Sequence, residues 1–211
     1  ATLTADVDVP SGSNPSDGIG EDAAVVSKNP DQGEYSSIQT AVDDVDGTTV
    51  YVEPGIYDES VEIDVEGLTL RGTTDPESGE AATVVGQSSD TITVQSNDVT
   101  VERLEIQNPE GASSDPSDNA GALGVNVDSG NTGVTVVDNV ITEVGTENDD
   151  ANPMAVYAQG ATDGITVENN TVSNLVGTDE DQGALQAIHI NSQRAVEGIS
   201  EGIDEVRVAN N

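Results

Sequence analysis

The sequence predicts an all-β fold, a parallel β-helix of about five coils with a short N-terminal capping helix. Three observations predict it. A short phrase recurs at intervals above 30 residues. Strand-like segments alternate apolar with small or polar residues along most of the chain. One amphipathic helical stripe precedes the first of these strands.

The phrase is clearest in Gly67-Leu-Thr-Leu-Arg, Asp98-Val-Thr-Val-Glu, Gly133-Val-Thr-Val-Val and Gly164-Ile-Thr-Val-Glu, with a last copy in Glu205-Val-Arg-Val-Ala-Asn-Asn. Aligning Leu68, Val99, Val134, Ile165 and Val206 gives spacings of 31, 35, 31 and 41 residues. Repeats of this length signal a solenoid, in which each unit buries its apolar face only against its neighbours. Further strands are expected at Thr49–Val52, Val61–Asp64, Thr83–Val85, Thr91–Gln95, Ala122–Val127, Pro153–Gln159 and Gln186–Asn191, separated by Gly, Asn, Asp and Ser turns. Two or three short strands per unit without an intervening helix do not fit a doubly wound sheet. An antiparallel sandwich would need hairpins rather than a repeated phrase. One coil per repeat fits both facts and gives a rod about 24 Å long. Stacking would align Asn139, Asn170 and Asn210 as a side-chain ladder, although each could equally serve only its own turn. Ahead of the coils, Ser36 and Gln39 have capping-box spacing. Ile38, Ala41, Val42 and Val45 then form one apolar stripe, suited to covering the open end of the core. The chain therefore divides into an N-terminal strand and linker, residues 1–33, and a β-helix domain, residues 34–211.

Charge constrains partners more than fold. There are 41 acidic residues against 5 basic ones, a net charge of -36, with no Cys, Phe or Trp. Such a density disfavours compaction in dilute buffer, and a disordered acidic chain is the alternative that the ordered alternation excludes. At about 1 M salt the Debye length is roughly 3 Å and the repulsion is screened. The composition resembles that of proteins from organisms living in molar salt. A surface this negative repels nucleic acid and anionic lipid, and no apolar run is long enough to insert into a membrane. Ala1 in first place predicts a removed N-terminal segment and a secreted or cell-surface location. Asn169-Asn170-Thr171 is a glycosylation sequon with Asn169 as acceptor.

Residues 34–72 carry a more specific signal. Tyr35-Ser-Ser-Ile-Gln-Thr-Ala-Val-Asp-Asp-Val leads into Val50-Tyr-Val-Glu-Pro-Gly-Ile-Tyr-Asp-Glu-Ser-Val-Glu-Ile and then Leu68-Thr-Leu-Arg-Gly. This resembles the entry to the pectin-esterase and pectate-lyase-like superfamily of right-handed parallel β-helices, and Gly164–Asn174 resembles its coil repeat. The resemblance implies a right-handed coil. It also implies, for an esterase, two aspartates and an Ala-Leu-Arg-type segment. Here Gly121-Ala-Leu-Gly has Gly124 at the arginine's place, and no Asp-x-x-Phe segment exists without Phe. Esterase chemistry is therefore not expected, and the balance leans against an enzyme without closing the question.

Candidate sites remain. In Gln186-Ala-Ile-His-Ile-Asn-Ser the alternation turns Ile188 and Ile190 inward and His189 outward. His189 with Arg194 is the candidate catalytic pair, against a plain solvated histidine. Acidic clusters at Asp43, Asp44 and Asp46, at Glu147, Asp149 and Asp150, and at Asp179, Glu180 and Asp181 invite calcium, the last triplet being the calcium candidate. None has the spaced ligands of a calcium loop, and no other cofactor is expected. The last repeat breaks off at Asn211, which predicts an unpaired edge around Val206 and Val208. Leu3, Ala5, Val7 and Val9 alternate on one face of an N-terminal strand that could add to such an edge in a second copy. Two functions follow: an extracellular structural β-helix assembling head to tail with copies of itself, or a polysaccharide-binding or polysaccharide-degrading one.

Overall fold

The computed structural model describes residues 23–45, 48–109, 122–146, 153–159, 164–177, 186–191 and 207–211. Strand β1 (Ala23–Val26) comes first, followed by helix α1 (Ile38–Asp44). Five coils of three strands each succeed it: β2 (Thr49–Val52), β3 (Gly55–Asp58) and β4 (Val61–Ile63); β5 (Thr69–Gly72), β6 (Ala82–Val85) and β7 (Asp90–Val94); β8 (Thr100–Glu102), β9 (Glu105–Asn108) and β10 (Leu123–Val127); β11 (Thr135–Val137), β12 (Val140–Val144) and β13 (Met154–Gln159); β14 (Thr166–Glu168), β15 (Thr171–Val172) and β16 (Gln186–Asn191). Strand β17 (Arg207–Ala209) follows them.

Every coil contributes one strand to each of three parallel sheets. Sheet 1 runs β1-β2-β5-β8-β11-β14-β17, sheet 2 runs β4-β7-β10-β13-β16, and sheet 3 runs β3-β6-β9-β12-β15. The repeat phrase is sheet 1, and its observed register pairs Thr69, Thr100, Thr135, Thr166 and Arg207 in turn. That is the alignment expected from the phrase. Strand β1 lies within residues 1–33 and stacks on β2 from Ala23↔Thr49 to Val26↔Val52.

Stacking turns single apolar residues into buried columns. Ala24, Val50, Leu70, Val101, Val136 and Val167 line sheet 1. Tyr57, Val84, Ile106 and Ile141 line sheet 3. Val61, Ile92, Val125 and Val156 line sheet 2. Fully burying each such aliphatic side chain contributes about 1.5–3 kcal/mol. The columns compensate for the missing Phe and Trp by number and regular stacking.

Two local expectations are corrected. The helix is capped by Ser37, whose side chain accepts from Thr40 N, and not by a Ser36–Gln39 box. Glu59, at the turn between β3 and β4, supplies the carboxylate, accepting from Ser37 Oγ, Ile38 N and Gln39 N. Gln39 instead joins β4, donating to Glu62 O and accepting from Glu62 N. The apolar stripe of Ile38, Ala41 and Val42 is fully buried, with α1 packed against β1, β2 and β4. The second correction concerns the asparagine ladder, which consists of Asn139, Asn170 and Asn211. Asn210 instead holds a left-handed φ of 56°, as do Asn169 (55°) one coil earlier and Asp138 (57°) two coils earlier. Asparagine tolerates that conformation, and the next residue then turns inward.

Candidate functional site

The outer face of sheet 2 gathers the chemistry-bearing side chains. Its register stacks Glu62, Thr93, Asn126, Tyr157 and His189 in one column, one residue per coil. Successive rungs of such a column lie about 4.8 Å apart. His189 therefore stands outward as the alternation predicts, with Ile188 and Ile190 packed against the core on the other side. Its ring sits 5.4 Å from that of Tyr157, centroid to centroid, tilted by 57°. Burial raises the Tyr157 phenol's pKa.

Beside the rings lies a polar group anchored by Asp90. Asn126 Nδ2 donates to Asp90 Oδ2 at 2.8 Å and to Asp128 Oδ1 at 3.4 Å. Thr93 Oγ1 also donates to Asp90 Oδ2, at 3.3 Å. Burial raises the pKa of Asp90, opposed by hydrogen bonds from Asn126, Ser89 and Thr93, with the Asp128 charge adding to the rise. Asp128 is raised too, first by burial and then by the charge of Glu62. At the head of the same strands Leu123 pairs with Asp90 on one side and Met154 on the other, and Leu123 and Met154 are buried. The face thus combines two stacked rings, an oriented amide and three carboxylates.

Arg194, the triplet Asp179, Glu180 and Asp181, the residues Leu3, Ala5, Val7 and Val9, and Val206 lie outside the described residues. Val208 lies in β17 and is 50% exposed. Asn169 is exposed in its left-handed turn. Among the described residues no three acidic or histidine side chains converge on a point that could hold a metal. Gly124, at the position where an arginine was sought, has no room for a side chain. A Cβ there would come within 2.6 Å of Ala155 O and 2.8 Å of Ile141 Cγ2.

Sequence reasoning singled out His189 but missed Tyr157, Asn126, Thr93, Asp90 and Asp128. The signal was present as spacing. From Glu62 to His189 the column steps by 31, 33, 31 and 32 residues, close to the repeat length.

No protein-family model and no curated protein matches the chain. Among solved structures it is similar to pectin methylesterase PemA from Erwinia chrysanthemi, with a TM-score of 0.50 and 18% identity over 89% of this chain and 66% of that one. It is also similar to the pectin methylesterases of Aspergillus niger (TM-score 0.44, 17% identity, 91% and 75% covered) and Yersinia enterocolitica (0.44, 15%, 84% and 66%). The chain spans about two thirds of the length of the Erwinia enzyme. The likeness is one of fold, the right-handed parallel β-helix.

Proposed function

We propose that this chain is an extracellular polysaccharide-binding β-helix protein that takes a sugar chain along the outer face of sheet 2. The observation that carries the reading is the Tyr157–His189 ring pair in register with Asn126. Rings offer flat apolar surface to the C–H faces of a pyranose, and an adjacent oriented amide fixes its hydroxyls. The fold shared with an enzyme named for pectin supports a polysaccharide ligand and, with it, a location outside the cell. Binding rather than esterase turnover is proposed because Gly124 leaves no room for the arginine that the pectin-esterase resemblance implies there.

Isothermal titration against a panel of oligosaccharides tests this. Tyr157→Ala and His189→Ala should each weaken binding by about tenfold, the effect of removing one ring anchor. No binding of any glycan by the parent chain would overturn the reading. Turnover of a glycan lost in His189→Ala would move it from binding to catalysis. Head-to-tail self-assembly, the other function read from the sequence, depends on Leu3, Ala5, Val7, Val9 and Val206, all outside the described residues, together with Val208.

A further inference from the structure

Beside the Tyr157 and His189 rings, the polar groups that the sheet 2 column offers outward are hydrogen-bond acceptors. Asn126 directs its amide N–H groups at Asp90 and Asp128, so its carbonyl oxygen is the end left to a ligand. Thr93 spends its hydroxyl proton on Asp90 and retains only lone pairs. Glu62, one rung below Thr93 in the same column, adds a further acceptor. The described cationic side chains lie elsewhere. Lys28 lies over the Tyr57 ring, 4.4 Å from its centroid. Arg71 pairs with Glu102 and Arg207 with Glu168, both on sheet 1. Arg103 occupies the left-handed turn after β8.

A polymer of uronic acids would lay its carboxylates along this face. It would meet Glu62, Asp90 and Asp128 with no described arginine or lysine between them, and like charges set against each other at an interface disfavour binding. Hydroxyl and ammonium groups, by contrast, donate to every acceptor in the column while the sugar ring rests on Tyr157 and His189. We propose that this face selects sugars presenting hydroxyl or ammonium donors and no carboxylate. Asp90 and Asp128 set that choice by orienting Asn126. The inference rests on the polysaccharide reading above and names the class of sugar within it.

The test compares three hexamers at pH 7 and fixed ionic strength: cellohexaose, a chitosan hexamer and a galacturonic acid hexamer. Cellohexaose, the chitosan hexamer or both should bind at least about tenfold more tightly than the uronate. Stronger binding of chitosan marks the ammonium as the donor, and equal binding marks the hydroxyls. The double variant Asp90→Asn with Asp128→Asn should shrink the preference by about fivefold or more, its fold checked by circular dichroism. Should that variant unfold, Asp128→Asn alone, at a half-exposed position, should shrink the preference in the same direction. Uronate binding as tight as that of the other two would overturn the selectivity and leave the polysaccharide reading standing. An unchanged preference in the folded variants would overturn the role of Asp90 and Asp128. Binding of none of the three would overturn the inference, and titration against the wider oligosaccharide panel then decides whether the reading it rests on falls with it.

Discussion

At the scale of single residues, Tyr57 shows how much one side chain does in a core without Phe or Trp. It is fully buried, and its hydroxyl donates to Glu53 O at 3.0 Å and Val26 O at 3.3 Å. Burial, followed by the charges of Glu53 and Glu59, pushes its phenol up to about 12 from an ordinary 10.0. The folded state therefore holds this proton more tightly than the unfolded one, so stability falls as pH rises from 10 toward 12. Tyr57→Phe should cost about 1 kcal/mol at neutral pH and flatten this alkaline loss. Denaturant midpoints at pH 8 and pH 11 would show both effects. Tyr57 was legible as part of Gly55-Ile-Tyr-Asp-Glu, but its role was not, because Val26 lies in a stretch read as linker. The glycan-binding losses expected for Tyr157→Ala and His189→Ala belong to this scale as well. There the alternation of one segment placed His189 correctly, whereas the partner ring came from the preceding coil.

At the scale of elements, the asparagine ladder ties the last coils of sheet 1 together. Asn170 accepts from Asn139 N at 3.0 Å and Asn139 Nδ2 at 3.1 Å. It donates to Val136 O at 2.9 Å and Asn211 Oδ1 at 3.1 Å. Asn139 repeats the pattern one coil earlier, donating to Val101 O and accepting from Leu104 N. Asn170→Ala would strand several of these buried groups, and a cost of about 2–3 kcal/mol is expected, read as a lowered melting temperature. A substitution that left the melting temperature unchanged would show that water replaces the amide at no cost. The helix cap is a second case of support from a distant element. The capping partner was sought in Gln39, three residues after Ser36, yet the cap is completed by Glu59, 22 residues beyond Ser37. Sequence-local rules find caps that the chain makes with itself nearby, and a solenoid stacks its partners one coil away.

At the scale of the whole molecule, charge opposes the fold that the columns build. Among the described residues the ion pairs are Arg71–Glu102 and Arg207–Glu168, few against a net charge of -36. Raising salt from tens of millimolar to about 1 M shortens the Debye length to roughly 3 Å and removes most of this repulsion. The melting temperature should therefore climb steadily over that range. A melting curve indifferent to sodium chloride would show that the carboxylates are too dispersed to strain the coil.

The sequence by itself determined the coil. Alternation marks which residues of a strand face the core, and the recurring phrase marks where each turn of the solenoid begins. Both are local properties, repeated. Only the tertiary structure decided which outward residues meet. Sheet 1 repeats at 31, 35, 31 and 41 residues, while the sheet 2 column steps at 31, 33, 31 and 32, because the segments between strands differ in length from coil to coil. The phrase on one sheet therefore does not set the register on the next, and a slip of one residue moves a side chain to the opposite face. Within the phrase itself the register holds, and Asn139, Asn170 and Asn211 each stand five residues beyond Val134, Ile165 and Val206. By the same rule Asn126, Tyr157 and His189, more than 30 residues apart in turn, became a single face.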